Sequence, residues 1–344
     1  MAQLSPVPAL ARRFKAQLLR GETKVTAEML RNYKSIEMML AEQLRLTLRD
    51  IASRTAAGQN PSPSQIYQEQ RFKILLAQVR EQLSKYAEKT ATNVASRQKE
   101  LIPLALNHAN GLAGMAVKEA SGSKLSVAKV LSSSDWNYVN PEQIVNVVGL
   151  LQPGTPAYDD LKNIAPDAVD KLRDSLITRV STGEQPEQVA KAFKTELAGK
   201  AGHFLTIART EDMRAYRMTQ SQTFNENADI IGGWRWFASL SFDTCAACLS
   251  LHGQVFTTGE FMEAHPNCRC VSIPVVNGMP MEKWQTGEEW LKSQPEDIQR
   301  RALGPSKFEA FSNGDIGLND LVGHRDDSRY GGMYYEQSLK AAVG

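Results

Sequence analysis

Four cysteines and one histidine stand close together in the chain: Cys245, Cys248, His265, Cys268 and Cys270. All 4 cysteines of the 344-residue sequence fall in this window, a clustering that scattered core thiols would rarely show. A Cys-x2-Cys turn brings two thiolates within reach of one tetrahedral ion, and the His-x2-Cys-x-Cys segment supplies the second half of such a site. Cys268 and Cys270 are two apart, so on a strand they face one side. Pro266 presets the turn from which His265 reaches the same ion. Five candidates compete for four places, leaving one of His265, Cys268 or Cys270 as a spare or as a group behind the ligands. Arg269 places a charge between the last two cysteines that stabilises thiolates nearby. With no open position, a zinc site of this kind is structural, contributing roughly 10–16 kcal/mol of apparent binding energy. Disulfides are the main rival reading, and ordinary buried thiols a third. A reducing cytosol disfavours disulfides, and the Cys-x-Cys spacing would strain an internal one.

Catalytic patterns fit less well. A zinc deaminase needs His-x-Glu upstream of its cysteine pair, but His252-Gly253-Gln254 lacks the glutamate and follows Cys245 and Cys248. There is no His-Glu-x-x-His, no Walker-type phosphate loop and no Gly-x-Ser-x-Gly. Arg209, Glu211 and Arg214 read first as a helix-surface ion-pair network or a buried strut, and only then as an active-site group. His108, His203 and His324 read as structural or surface histidines. Trp284 and Trp290 serve equally well as anchors for a partner or as local core. The chain is expected not to be an enzyme.

The elements that must hold these residues are mostly helical. With 42% hydrophobic and 23% charged residues, the sequence is that of a globular protein of about two domains, not a disordered, collagen-like or disulfide-dense chain. No run of about 18 apolar residues is present, and the N-terminus lacks the apolar core of a secretory leader. A protein made and used in a cytosol, with no membrane partner, is the expectation. Residues 1–130 hold 20 Lys/Arg against 10 Asp/Glu, a net +10, and the remaining 20 Lys/Arg and 28 Asp/Glu give −8. A basic first third points to nucleic acid or an acidic surface as partner, weighed against a plain solvated helical face.

From Met29, apolar positions Leu30, Tyr33, Ile36, Leu40, Leu44, Leu48 and Ile51 recur every three or four residues, one helical stripe. The loop GQNPSPS separates it from a second stripe, Phe72, Leu75, Leu76, Val79, Leu83 and Tyr86, with Ser64 as the expected N-cap. A third helix is expected over about 92–118, then a boundary near 135. Asn140-Pro141-Glu142 opens a helix through about Leu151, Pro166 one ending before Gly183, and Pro186 one through Leu197. Gly199 and Gly202 precede a last helix to about Asn227. GGWRWFASL then reads as a strand, and 231–277 as a small antiparallel sheet carrying the cysteines at its turns. The expected fold is therefore mainly α with a small antiparallel β, zinc-knuckle-like module (α+β) and an elongated helical N-terminal part. Its expected domains are 1–135, 136–277 and a 278–344 extension ending in a mobile tail.

Taken together, IARTE (207–211), the Trp-containing strand, DTCAACLSLHGQVF (243–256) and HPNCRC (265–270) resemble the phage head morphogenesis family, the Mu F-like minor head proteins of tailed bacteriophages. The matching positions are Arg209, Thr210, Glu211, Trp236, Asp243, Cys245, Cys248, Gly253, Phe256, His265, Pro266, Cys268, Arg269 and Cys270. The motif region is roughly 160–277, about a third of the chain, and the stretch from EEWLKSQPEDIQRRALG to GLNDLV is similar to what often follows it. The resemblance implies a virion component inside the phage head, assembled in the host cytoplasm. It would bind the portal and the procapsid interior, with phage DNA as a further contact. The alternatives are a zinc-binding enzyme or toxin-like effector of nuclease class, and a zinc-stabilised DNA-binding module. Only about 67 residues follow 277, little for an effector domain.

Overall fold

The computed structural model describes residues 5–54 and 59–343; Gly58, the first residue of the expected GQNPSPS loop, lies outside them. Three helices are long: α1 (Pro6–Arg54), α3 (Gln70–Ser121) and α7 (Pro186–Asn225). Between them come α2 (Pro63–Gln68), α4 (Val127–Ser132), α5 (Pro141–Val148) and α6 (Pro156–Ser181). After α7 the chain runs β1 (Ile231–Phe237), α8 (Ala246–Leu251), β2 (Val255–Thr257) and β3 (Val271–Val276). It closes with α9 (Gly287–Lys292), α10 (Glu296–Leu303), α11 (Pro305–Asn313), a hairpin of β4 (Val322–Asp327) and β5 (Gly331–Glu336), and α12 (Leu339–Val343). This is the expected mainly helical fold with small antiparallel sheets.

The helices are fewer and longer than their punctuation implies. Gly199 and Gly202 lie inside α7 and Pro166 inside α6, rather than at boundaries, and Pro103 lies inside α3, within the helix expected there. A proline costs a helix interior about 3 kcal/mol and a glycine about 1. Burial of Leu101, Ile102, Ala105 and Leu106 around Pro103, and of Phe193, Leu197, Phe204 and Ile207 around the glycines, outweighs those costs. Ser64 is not the cap; Ser62 is, accepting the Gln65 N–H while the Gln65 side chain accepts the Ser62 N–H. Leu30 also departs from the expected stripe: it is exposed, and Met29 takes the buried position.

The described chain divides into two compact units that are not consecutive pieces. One comprises Arg20–Ser96 and Leu151–Arg209. It is a helical core in which Tyr33, Leu40, Leu44, Leu75, Val79, Leu161, Leu172, Phe193 and Phe204 pack together. Tyr33 and Tyr86 donate their hydroxyls to the carbonyls of Leu197 and Met29, at 2.7 and 2.8 Å. The other takes the chain through Leu19, then Arg97–Leu150, then Thr210 onward, so residue 135 lies inside it and not at a boundary.

In this second unit β1 is central, paired antiparallel with β2 and β3 in the order β2-β1-β3. Trp234 and Trp236 face Cys248, Cys268 and Cys270 on one side. Phe237, Val271 and Ile273 pack with Leu10, Leu18, Leu101 and Tyr216 from α1, α3 and α7 on the other. Gly233 is required by the strand approach, because a Cβ there would lie 2.3 Å from the Phe256 carbonyl oxygen. The Gly/Tyr-rich tail, expected to be mobile, instead forms the β4–β5 hairpin. Tyr334 meets Trp236 edge-on at 6.1 Å, and Glu336 accepts the Ala246 N–H at 2.8 Å and pairs with Lys307.

Arg214 and Glu211 take the strut arrangement. Glu211 accepts from Arg214 Nη2 at 2.9 Å and from Gln98 at 3.2 Å. Arg214 also donates to the carbonyls of Val148 and Gly149, at 2.7 and 2.8 Å, at the end of α5. Removing one partner of a buried pair leaves an uncompensated charge. Arg214→Met is therefore expected to cost about 3–5 kcal/mol in urea unfolding. Arg214→Met with Glu211→Gln should cost clearly less than the sum of the two single changes. Additive losses would show the pair to be uncoupled.

Candidate metal centre

The five candidate ligands reach the site on two knuckles, both in the second unit. Cys245 is the N-cap of α8, with extended backbone, and its sulfur accepts the Cys248 N–H at 3.4 Å. That bond points both thiols of the first knuckle inward. The second knuckle is the turn from His265 to Cys268, closed by the Cys268 N–H donating to the His265 carbonyl at 3.1 Å. Asn267 holds a φ of 62°, a conformation asparagine tolerates better than most residues. The Cys270 N–H then donates to the Cys268 sulfur at 3.5 Å. Cys268 and Cys270 lie in the segment just before β3, not on the strand as the sequence pattern implied.

The knuckles converge. His265 Nε2 lies 3.2 Å from Cys245 Sγ and 3.4 Å from Cys248 Sγ, and Cys248 Sγ lies 3.7 Å from Cys268 Sγ. In a tetrahedral zinc site the sulfur–sulfur edge is about 3.8 Å and the sulfur–nitrogen edge about 3.5 Å. The donors form two triangles, Cys245–Cys248–His265 and Cys248–Cys268–Cys270, which share Cys248. All four cysteines are free thiols, with Cys248, Cys268 and Cys270 buried and Cys245 part-exposed. His265 Nδ1 lies 2.8 Å from the Pro266 carbonyl. Donation to that carbonyl fixes the proton on Nδ1 and leaves Nε2 to face the sulfurs. Such a buried Cys/His cluster is able to bind a metal ion.

Charge inside the cluster is uneven. Hydrogen bonding from the Cys248 thiol and contact with His265 lower Cys245 to about 6. Cys268 is held well below the ordinary thiol value by bonds from Cys248 and Cys270 and by the Arg217 charge. Cys248, donating to its neighbours, is raised well above it. For Cys270 the bond with Cys248 acts downward, but the Cys268 thiolate and burial prevail and push it up to about 12. Burial acts to lower His265, yet contact with the Cys245 and Cys268 sulfurs raises it to about 11.

Cations reach the cluster from near and far in the chain. Arg269 is exposed and lines the cavity beside the cysteines. Arg217, on α7, is buried and donates to the Cys268 and Cys270 carbonyls at 2.6 and 3.0 Å. Thr210, one heptad earlier on the same helix face, accepts the Asn267 N–H at 3.2 Å. α7 thus grips the second knuckle at both ends. The heptad spacing from Thr210 was the available signal for Arg217, but a buried arginine cannot be told from a surface one by spacing alone. Lys15, from α1, lines the cavity beside the cysteines, and no local pattern links it to them.

The remaining site candidates separate. Trp236 is fully buried beside the cysteines. Asp243 is exposed at the rim of the cavity. Arg209 pairs with Glu22 at 3.1 Å in the first unit. His108 stacks on Phe14 at 3.9 Å and lies 2.9 Å from the Tyr216 hydroxyl, and burial lowers it to about 4. His252 accepts the Ala238 N–H at 3.1 Å, while His203 and His324 face Asp160 and Glu263. Trp284 lies under the Arg235 guanidinium at 3.7 Å, and Trp290 packs against the Leu291 and Phe311 cluster.

Residues 170–273 match the family model described as Phage Mu protein F like protein. All five candidate ligands, β1, β2 and the gripping residues of α7 lie within the match, and Lys15 lies outside it. No curated protein and no solved structure matches the chain.

The uneven charge sets an order of reactivity, since the thiolate is the nucleophile. After chelator treatment at about pH 7, Cys245 is expected to alkylate first, being both part-exposed and the thiol lowered to about 6. Lowering the pH below that value should slow it. Peptide mass spectrometry after timed iodoacetamide exposure reads the order, and equal labelling of Cys270 would contradict it.

Proposed function

We propose that this chain, built around a phage Mu protein F-like segment, is a minor head protein of a tailed bacteriophage. It acts in head morphogenesis by binding the portal and the procapsid interior, stays in the virion, and catalyses nothing. The observation that carries the reading is that the matched segment, 170–273, contains both cysteine knuckles, β1, β2 and the first half of β3, including Cys245, Cys248, His265, Cys268 and Cys270. In this reading the module is a rigid platform, and zinc is its structural staple. Four of the five donors hold the ion, which supplies only cross-linking of the two knuckles.

The donor chemistry favours zinc: soft thiolates with one imidazole in a tetrahedral arrangement suit it, and they suit magnesium or calcium poorly. The 3.7 Å sulfur–sulfur separation matches one tetrahedral edge. A closed thiolate site leaves no place for a bound water, which supports a structural role. No helix among the described residues is long and apolar enough to cross a membrane. The excess of basic residues up to 130 supports a contact with phage DNA through release of phosphate counterions.

Elemental analysis of the reduced, purified protein is expected to give about one zinc per chain. Cys248→Ser, which removes the sulfur common to both triangles, should abolish binding and lower the unfolding temperature. Expressed with the head genes of its phage, the protein is expected to sediment with procapsids in few copies. Its absence from heads, with normal particle assembly when it is deleted, would refute the head role. For DNA, binding should be weak, independent of sequence and lost steeply with added salt.

A further inference from the structure

One buried charge at the cluster is unexplained by packing. Lys15 is 6% exposed. Its ammonium donates to the Ser239 hydroxyl at 2.6 Å, and it lines a cavity of about 420 Å³ together with Cys245, Cys248, Cys268 and Cys270. Cysteine sulfurs share that cavity with it, and among the described residues no carboxylate pairs with it. A hydroxyl is a poor substitute for a counter-ion, because burying an unpaired ammonium costs several kcal/mol.

The donor set supplies the missing charge. Any four of the five donors include at least three cysteines. A divalent ion on three thiolates and a neutral imidazole carries −1, and on four thiolates −2. A loaded centre is therefore negative whichever donor is left out. Arg217 directs its donors to the carbonyls of Cys268 and Cys270, and Arg269 at the cavity is exposed to solvent, which leaves Lys15 as the buried ammonium in the cavity with the cysteines.

We infer that Lys15 is the counter-ion of the metal centre, a positioning residue that neutralises its surplus thiolate charge and ties the start of α1 to the matched module. The inference rests on the metal reading above. Around Lys15, Val7, Leu10, Ala11 and Leu18 of α1 pack on Val271 and Ile273 of β3, so the apolar contact and the charge contact lie along the same stretch of helix. Metal binding and the docking of that stretch become linked. The ion holds the thiolates together beside Lys15, and Lys15 lowers the cost of gathering them around the ion.

The test compares full-length wild type, Lys15→Met and Ser239→Ala. Zinc affinity is read by competition with a chromophoric chelator, and thermal unfolding is followed with zinc and with EDTA. Lys15→Met is expected to weaken zinc binding about 10–100-fold, as removal of groups supporting metal ligands does. Ser239→Ala, which only loosens the ammonium, should weaken it less. Lys15→Met should lower the unfolding temperature more with zinc than in EDTA. Hydrogen exchange at residues 5–19 of the wild type should quicken when zinc is removed. Unchanged zinc affinity in Lys15→Met, or equal destabilisation with and without zinc, would overturn the inference and leave the metal reading intact. A wild type that binds no zinc would overturn both, and it shows itself before any variant is made.

Discussion

The meeting of two cysteine knuckles around one point is the constraint on which the second unit depends. Sulfurs brought to 3.7 Å and an imidazole nitrogen brought to 3.2 Å of a thiol are not what apolar packing alone selects. Left as bare thiols and thiolates, the group carries repulsion and poorly satisfied polar atoms in a buried place. The surroundings answer that cost residue by residue. Backbone N–H groups of Cys248 and Cys270 donate to sulfur, the His265 ring is oriented by the Pro266 carbonyl, and Arg217 and Lys15 bring positive charge.

The sheet is small for the work it does. β1 has seven residues, β2 three and β3 six, and a sheet of that size buries little on its own. It is secured on one face by the tryptophan pair and the cysteines, and on the other by helices α1, α3 and α7. The C-terminal hairpin adds Tyr334 against Trp236 and a carboxylate at the start of α8. A chemical staple between the two knuckles is the economical way to hold such a module in one arrangement.

Helix α7 joins these themes. Thr210, Arg217 and Gln220 lie along one face and engage Asn267, the Cys268 and Cys270 carbonyls, and Ser272 in turn. Glu211 and Arg214, on a neighbouring face, tie the same helix to Gln98 and to the end of α5. The Arg-Thr-Glu pattern thus combines three unlike jobs: an ion pair to Glu22, a hydroxyl acceptor for the second knuckle and a buried carboxylate strut.

By itself the sequence determined the features that depend on neighbours in the chain. The cysteine and histidine spacing, the alternating GGWRWF strand and the cap at Asn140 followed by Pro141 are local, and local geometry reads them without help. It also misplaced local signals that distant packing overrides. Gly199, Gly202 and Pro166 are breakers by propensity, yet buried neighbours carry the helices through them. Likewise, the tail acquires its strands only because Trp236 and α8 offer it a surface. Tertiary structure alone decided which charges attend the thiols. Arg269, between two of them in sequence, lines their cavity from its exposed side, while Lys15, more than two hundred residues upstream, lines it as a buried charge. Electrostatic pairing acts through space, and no pattern along the chain reports that distance.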